Sequence, residues 1–212
     1  MICPICQKRK AKRLCPARAE SICAICCGTE REVTIDCPSD CVYLAASREY
    51  DAARQAVDWS QVPFAKVKIP PSFARDHGPL VAELNYAVSK FASEHREVVD
   101  ADALAALQAL AETYRTLTSG IYYEQPPVNS LQHAIYETLK AAIEEFKKVE
   151  ARRPVVATTR DSDIRDALIL LTQLGASRTN GRPKGRAYLD LLRAQFAEEE
   201  FRKSSSNIVL LS

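Results

Sequence analysis

The first forty-one residues constrain this chain most, because they contain all eight of its cysteines. Two Cys-x-x-Cys pairs stand out, Cys3 with Cys6 and Cys23 with Cys26. Such a turn places two thiolates on one side of a tight bend, and two such turns can enclose a tetrahedral zinc ion. Eight sulfurs therefore predict two structural zinc ions. The predicted ligands are Cys3, Cys6, Cys15, Cys23, Cys26, Cys27, Cys37 and Cys41.

The order of the cysteines suggests how the two ions share them, although the spacing alone leaves the pairing open. If the two full pairs share one ion, the first site is Cys3, Cys6, Cys23 and Cys26. The second is then Cys15, Cys27, Cys37 and Cys41. Sites that alternate along the chain join into one compact unit, which suits a segment too short to bury its own core. The alternative is a small disulfide framework, which is typical of secreted domains rather than of a reducing compartment.

Two further absences set expectations about where the protein works. The N-terminus lacks the apolar region of a signal peptide, and no run of about 18 apolar residues could span a bilayer. We therefore expect a cytoplasmic protein. The net charge of +2 gives no general argument for nucleic acid or membrane as a partner, so any electrostatic argument depends on local patches.

The order of cysteine pair, spaced cysteine, second pair and closing pair at a helix resembles a known class of small domain. Residues 1–41 resemble the two-zinc cross-brace fingers of the MYND, HIT and B-box kind. Those families usually have a histidine among their last ligands, whereas this segment has none. The resemblance implies a module that binds another protein and whose zinc is structural. No family is recognised for the rest of the chain.

Two basic stretches are candidate phosphate contacts. The first lies between ligand groups and the second in a segment rich in glycine and proline. Their members are Lys8, Arg9, Lys10, Lys12 and Arg13, and Arg178, Arg182, Lys184 and Arg186. If the two stretches lie on one face of the protein, together they favour nucleic acid as a binding partner. The alternative is that the first balances the charge of the thiolates and the second is a solvated turn.

After Val42 apolar residues recur at helical spacing. We predict a connecting helix and a proline-containing linker over 42–78, followed by an all-α helical bundle over 79–212. The expected helices start at Pro79, at Asp100 or Asp102, at Asn129 or Ser130, at Asp161 or Ser162, and near Pro183, with Gly120 and Gly175 as end signals. Within the first forty-one residues, the alternation over Glu32–Asp36 predicts a short strand. The apolar tail 207–211 is expected either to dock or to fray.

Nothing in the sequence predicts catalysis. The three histidines, His77, His95 and His133, belong to no His-Glu-x-x-His pattern, and four thiolates would leave a zinc no open position for substrate. The favoured hypothesis is a non-enzymatic adaptor with a protein partner. The alternatives are a nucleic-acid-binding protein and a thiol switch that uses Cys26 and Cys27.

Overall fold

The computed structural model describes residues 1–54, 57–152, 158–197 and 201. It divides the chain into two compact units. The first, here called the cysteine module, comprises Met1–Val57 and Thr179–Ala187. The second, here called the helical bundle, comprises Asp58–Arg178 and Tyr188–Ser212. The cysteine module is therefore larger than the predicted 1–41 segment, because a stretch distant in sequence belongs to it.

The cysteine module contains little regular structure. Strands β1 (Arg13–Cys15) and β2 (Glu20–Ile22) pair antiparallel, and helix α1 (Ala24–Glu30) follows them. Helix α2 (Val42–Ala52) begins directly after Cys41, which is its N-cap residue. The connecting helix predicted within 42–78 therefore ends at Ala52.

The predicted strand over Glu32–Asp36 does not form. The segment is a turn closed by a bridge between Arg31 and Ile35. The backbone N–H groups of Val33, Thr34 and Ile35 all donate to the carbonyl of Glu30, the last residue of α1. A terminal helix carbonyl that lacks an intrahelical partner thus folds the chain back, and Glu32 takes a positive φ of 53°.

The linker packs on the core of the helical bundle. Phe64, Val67 and Ile69 pack against its core. The side chain of Gln173 donates hydrogen bonds to the carbonyls of Phe64 and Val67, at 3.0 and 3.2 Å. The short helix α3 (Phe73–Asp76) ends the linker.

Four long helices form the bundle: α4 (Gly78–Glu94), α5 (Asp100–Thr118), α6 (Ser130–Ala151) and α7 (Asp161–Arg178). Both α4 and α5 pack on α6 and α7, and the short helix α8 (Ala187–Arg193) follows. The core consists mainly of fully buried aliphatic side chains, including Leu84, Leu107, Leu110, Leu139, Ile143 and Leu168. The prediction of an all-α bundle behind a small cysteine-rich module is confirmed.

Two of the predicted helix signals act differently in the structure. Gly175 does not end its helix, which continues to Arg178. A Cβ at Gly175 would lie 2.6 Å from Leu104 and 2.9 Å from Tyr188, so the glycine permits close packing instead. Asp100 was a candidate N-cap of α5, but its carboxylate accepts hydrogen bonds from the backbone N–H groups of Tyr188 and Leu189 in α8.

Other predicted signals are confirmed. Asn129 caps α6 by accepting from the N–H groups of Leu131 and Gln132, and Gly120 follows α5 with a φ of 83°. The apolar tail 207–211 lies outside the described residues. Among the described helices, none combines the length and the apolarity needed to cross a membrane.

Candidate metal centre

The first predicted ligand group comes together in the cysteine module. The sulfurs of Cys3, Cys6, Cys23 and Cys26 all lie within 4.8 Å of one another, and those of Cys6 and Cys23 are 3.9 Å apart. Tetrahedral zinc with Zn–S bonds of about 2.3 Å requires sulfurs about 3.8 Å apart. The donor set and its spacing therefore fit one zinc-type metal ion, and the structure brings together the four cysteines that were predicted for the first site.

The first ligand pair sits in a tight turn. The N–H of Gln7 donates to the carbonyl of Cys3, and the N–H of Cys3 donates to the carbonyl of Arg9, both at 2.8 Å. Gln7 has a φ of 51°, which turns the chain. The turn aims the N–H groups of Lys8 and Arg9 at the sulfur of Cys6, and these hydrogen bonds lower the pKa of Cys6 to about 6.

The second ligand pair is set by a helix start. Cys23 is the N-cap residue of α1, and its sulfur accepts from the N–H of Cys26 at 3.4 Å. Burial and the neighbouring sulfurs, that of Cys23 first, raise the pKa of Cys26 to about 12. Crowded sulfurs oppose one another's ionisation, so a divalent cation is the charge that would allow all four to bind as thiolates.

The remaining four cysteines are gathered around one cavity but are not at ligand spacing. Cys15, Cys27, Cys37 and Cys41 all line an enclosed cavity of about 10 Å³. Burial raises the pKa of Cys37. Within the described part of the chain, which includes all eight cysteines, only the first group has its sulfurs within 4.8 Å of one another.

A buried cation shares this second cavity. Arg31 is only 8% exposed, and its Nη2 lies 4.0 Å from the sulfur of Cys27. A guanidinium is always charged, so its burial beside sulfur favours an anionic neighbour. The sequence offered no signal for this role, because Arg31 lies outside both basic stretches.

The first basic stretch is largely open. The side chains of Lys8, Arg9, Lys10 and Lys12 are exposed and have no ion-pair partner within the described residues. Arg13 differs, because its guanidinium stacks over the ring of Tyr43 at 4.8 Å.

The second basic stretch is instead engaged within the cysteine module. Arg182 donates to the carbonyls of Gly28 and Arg31, at 3.0 and 2.5 Å. Lys184 donates to the carbonyl of Thr34 at 2.8 Å, and Arg186 pairs with Asp36. These contacts give three of the candidate phosphate contacts a structural role. Arg178, the fourth, is exposed at the end of α7.

The sequence did not predict the structural role of Glu32, which links separate segments of the cysteine module. Its carboxylate is 1% exposed and accepts from Arg48 at 2.9 Å and from Asn180 at 2.6 Å. Its backbone carbonyl accepts from the N–H of Lys184 at 2.8 Å. The predicted strand gave no signal of this role, because Arg48 and Asn180 lie 16 and 148 residues away from Glu32 along the chain.

The histidines do not join the metal centre. His77 and His95 stack on Phe73 and Phe91, with ring centroids 4.4 and 4.3 Å apart. His133 lies beside Tyr136 at 6.4 Å. Among the described residues, no histidine belongs to a group of three or more side chains placed to bind a metal.

Comparison of the chain with protein-family models, with curated protein sequences and with solved structures gives no match.

Proposed function

We propose that this protein is a non-enzymatic adaptor whose cysteine module is ordered by zinc and binds a protein partner. The observation that carries the proposal is the group of Cys3, Cys6, Cys23 and Cys26. Four thiolates complete the shell of a tetrahedral zinc, so the ion would stabilise the fold and leave no position for substrate. The turns between the ligands are then available for recognition.

Exposed apolar side chains support a protein partner. The module has few regular elements, yet it exposes several large aliphatic side chains to solvent. They are Met1, Ile2, Leu14, Ile25, Val33 and Val42. Exposed apolar surface on a small module favours association with another protein.

We further propose that Cys15, Cys27, Cys37 and Cys41 hold a second zinc ion. Their common cavity and the buried cation of Arg31 support this assignment, because four zinc-bound thiolates carry about two net negative charges for a cation to balance. Zinc analysis of the purified protein should give two ions per chain. Cys37→Ser should lower that number to one while leaving the first group loaded. A content of one ion in both wild type and Cys37→Ser would refute the second site.

The adaptor proposal is tested by affinity capture with the purified full chain as bait. From nuclease-treated extract the bait should capture a defined protein, and this protein should stay bound when the salt concentration is raised from about 0.1 to about 0.5 M. Zinc removal or Cys6→Ser should abolish its capture. Lys66→Glu, an exposed change in the helical bundle, is the control and should retain it. Capture that is unaffected by zinc removal would contradict the proposal.

A nucleic-acid-binding function is the second candidate. It is favoured by four exposed cations that have no ion-pair partner in the described part of the chain: Lys8, Arg9, Lys10 and Lys12. The second basic stretch supports it less, since three of its side chains already bind within the module. This function requires affinity for an oligonucleotide that falls steeply with salt. Recovery of only nucleic acid, lost at high salt, would favour it over the adaptor.

A further inference from the structure

One surface of the cysteine module combines positive charge with aliphatic side chains. Ile2 and Lys10 are an antiparallel bridge pair, flanked by hydrogen bonds from Cys3 N to Arg9 O and from Ala11 N to Met1 O. Directly paired residues of antiparallel strands point to the same side, and in a pair of this type their side chains are close. Ile2 and Lys10 therefore share one side of the module.

The same side continues along the chain into β1. Lys10, Lys12 and Leu14 are exposed, whereas Ala11 and Arg13 between them are half-buried. Side chains alternate between the two sides of an extended segment. Ala11 packs on the apolar cluster around the cysteines and Arg13 stacks on Tyr43, so the inner side is occupied. We call the outer side, formed by Ile2, Lys10, Lys12 and Leu14, the basic-aliphatic face.

From this arrangement we infer that the basic-aliphatic face binds an acidic peptide segment whose carboxylates alternate with aliphatic side chains. The inference rests on the proposed adaptor function and names the chemistry of its partner. Among the described residues, Lys10 and Lys12 have no ion-pair partner, and the first acidic residue of the chain is Glu20, so carboxylates would complement the charge of this face. Ile2 and Leu14 are 66% and 64% exposed and supply the apolar half of the match.

The composition of this surface favours a peptide over nucleic acid. Proteins that bind single strands stack bases on aromatic rings, and no aromatic residue precedes Tyr43. Tyr43 itself is covered by Arg13. Exposed isoleucine and leucine add nothing to phosphate binding, but they contribute when covered by another aliphatic side chain.

The test uses the full zinc-loaded chain and a fluorescent synthetic peptide of about ten residues in which aspartate or glutamate alternates with leucine. We expect Lys10→Glu with Lys12→Glu to weaken peptide binding by more than about 10-fold, and Leu14→Ser by about 5-fold. Lys66→Glu with Lys68→Glu is the matched control. It makes the same change in charge at the same spacing on exposed lysines of the helical bundle, and it should leave affinity unchanged. Zinc content verifies that the cysteine module of each variant is folded, and helical circular dichroism verifies the same for the bundle.

An oligo-dT probe separates the two classes of partner. Peptide binding that is weakened in Leu14→Ser, while any oligo-dT binding keeps its wild-type affinity, supports the inference. Tight oligo-dT binding with no peptide binding overturns it, as does equal peptide affinity of wild type and the Lys10→Glu, Lys12→Glu variant. If that double variant still captures the zinc-dependent protein partner, this face is refuted while the adaptor function stands. If no protein is captured at all, the adaptor function itself fails.

Discussion

The two units of this protein are stabilised by different means. The helical bundle buries a continuous set of aliphatic side chains, such as Leu107, Leu110 and Leu139, each fully removed from solvent. The buried apolar cluster of the cysteine module consists of four cysteines with Ile22 and Ile35. Without its sulfurs, this module would bury only two large apolar side chains in that cluster. The comparison teaches that buried cysteines can make up most of such a cluster where the segment is too short to supply aliphatic side chains.

Polar side-chain contacts also stabilise the cysteine module. Residues of Thr179–Ala187 bind carbonyls and carboxylates of the module through Asn180, Arg182 and Lys184. By contrast, side-chain hydrogen bonds in the bundle mainly fix helix ends and connections. The module should therefore respond to metal, and the bundle to changes in packing.

Loss of the metal should separate the two units most clearly. Cys6→Ser or exhaustive chelation should unfold the cysteine module, because structural zinc supplies about 10 to 16 kcal/mol of apparent binding free energy to such modules. Helical circular dichroism should fall only slightly, since α4 to α7 have their own core. Amide NMR signals of residues 1–41 should collapse while those of the bundle persist. Collapse of both sets together would show that the units do not fold separately.

The same contrast explains what the sequence could predict. The helices of the bundle could be predicted because each repeats its apolar residues at a fixed period, and because caps such as Asn129 act on neighbouring residues in the sequence. The first cysteine group could be predicted because both of its pairs have the Cys-x-x-Cys spacing. The roles of Glu32 and Gly175 could not be predicted, because their partners Asn180 and Tyr188 are distant in sequence or on another helix and are brought to them by the fold.

A substitution that creates a cavity in the core tests whether the bundle is stabilised by aliphatic packing and not by the metal. Leu107→Ala removes a fully buried side chain of α5, and this should lower the free energy of unfolding of the bundle by about 2 to 5 kcal/mol. Zinc content should remain that of the wild type. Thermal unfolding followed by circular dichroism, with metal analysis of the same sample, measures both. Loss of zinc in this variant would contradict independent stabilisation.

Glu32 tests the polar contacts of the module at a smaller scale. Glu32→Gln keeps the size of the side chain but removes its charge, and with it the ion pair to Arg48. The module should lose about 2 kcal/mol, since a charged hydrogen bond to a buried group is replaced by a neutral one. The expected readout is easier zinc removal by a competing chelator. Glu49→Gln, on α2 near Arg48 in sequence, is the control and should release zinc at the wild-type rate.

The smallest effect is expected at a polar cluster of the bundle and depends on pH. Glu124 accepts from Lys140 at 2.5 Å, from Tyr136 at 2.8 Å and from Tyr122 at 2.6 Å. These hydrogen bonds, that of Lys140 first, lower the pKa of Glu124 from 4.5 to about 2. Glu124→Gln should therefore destabilise the bundle by about 1 to 2 kcal/mol at neutral pH.

A depressed carboxyl pKa stabilises the fold above the pKa of the unfolded chain, and this stabilisation is lost as pH falls through the folded value. The difference in unfolding free energy between wild type and Glu124→Gln should hence be constant above about pH 5 and should shrink toward pH 2. Urea unfolding across this range measures it. Zinc-bound thiolates are protonated in the same range, so both proteins are compared after zinc removal, when only the bundle unfolds. A difference that stays constant down to pH 2 would show that Glu124 acts by packing rather than by charge.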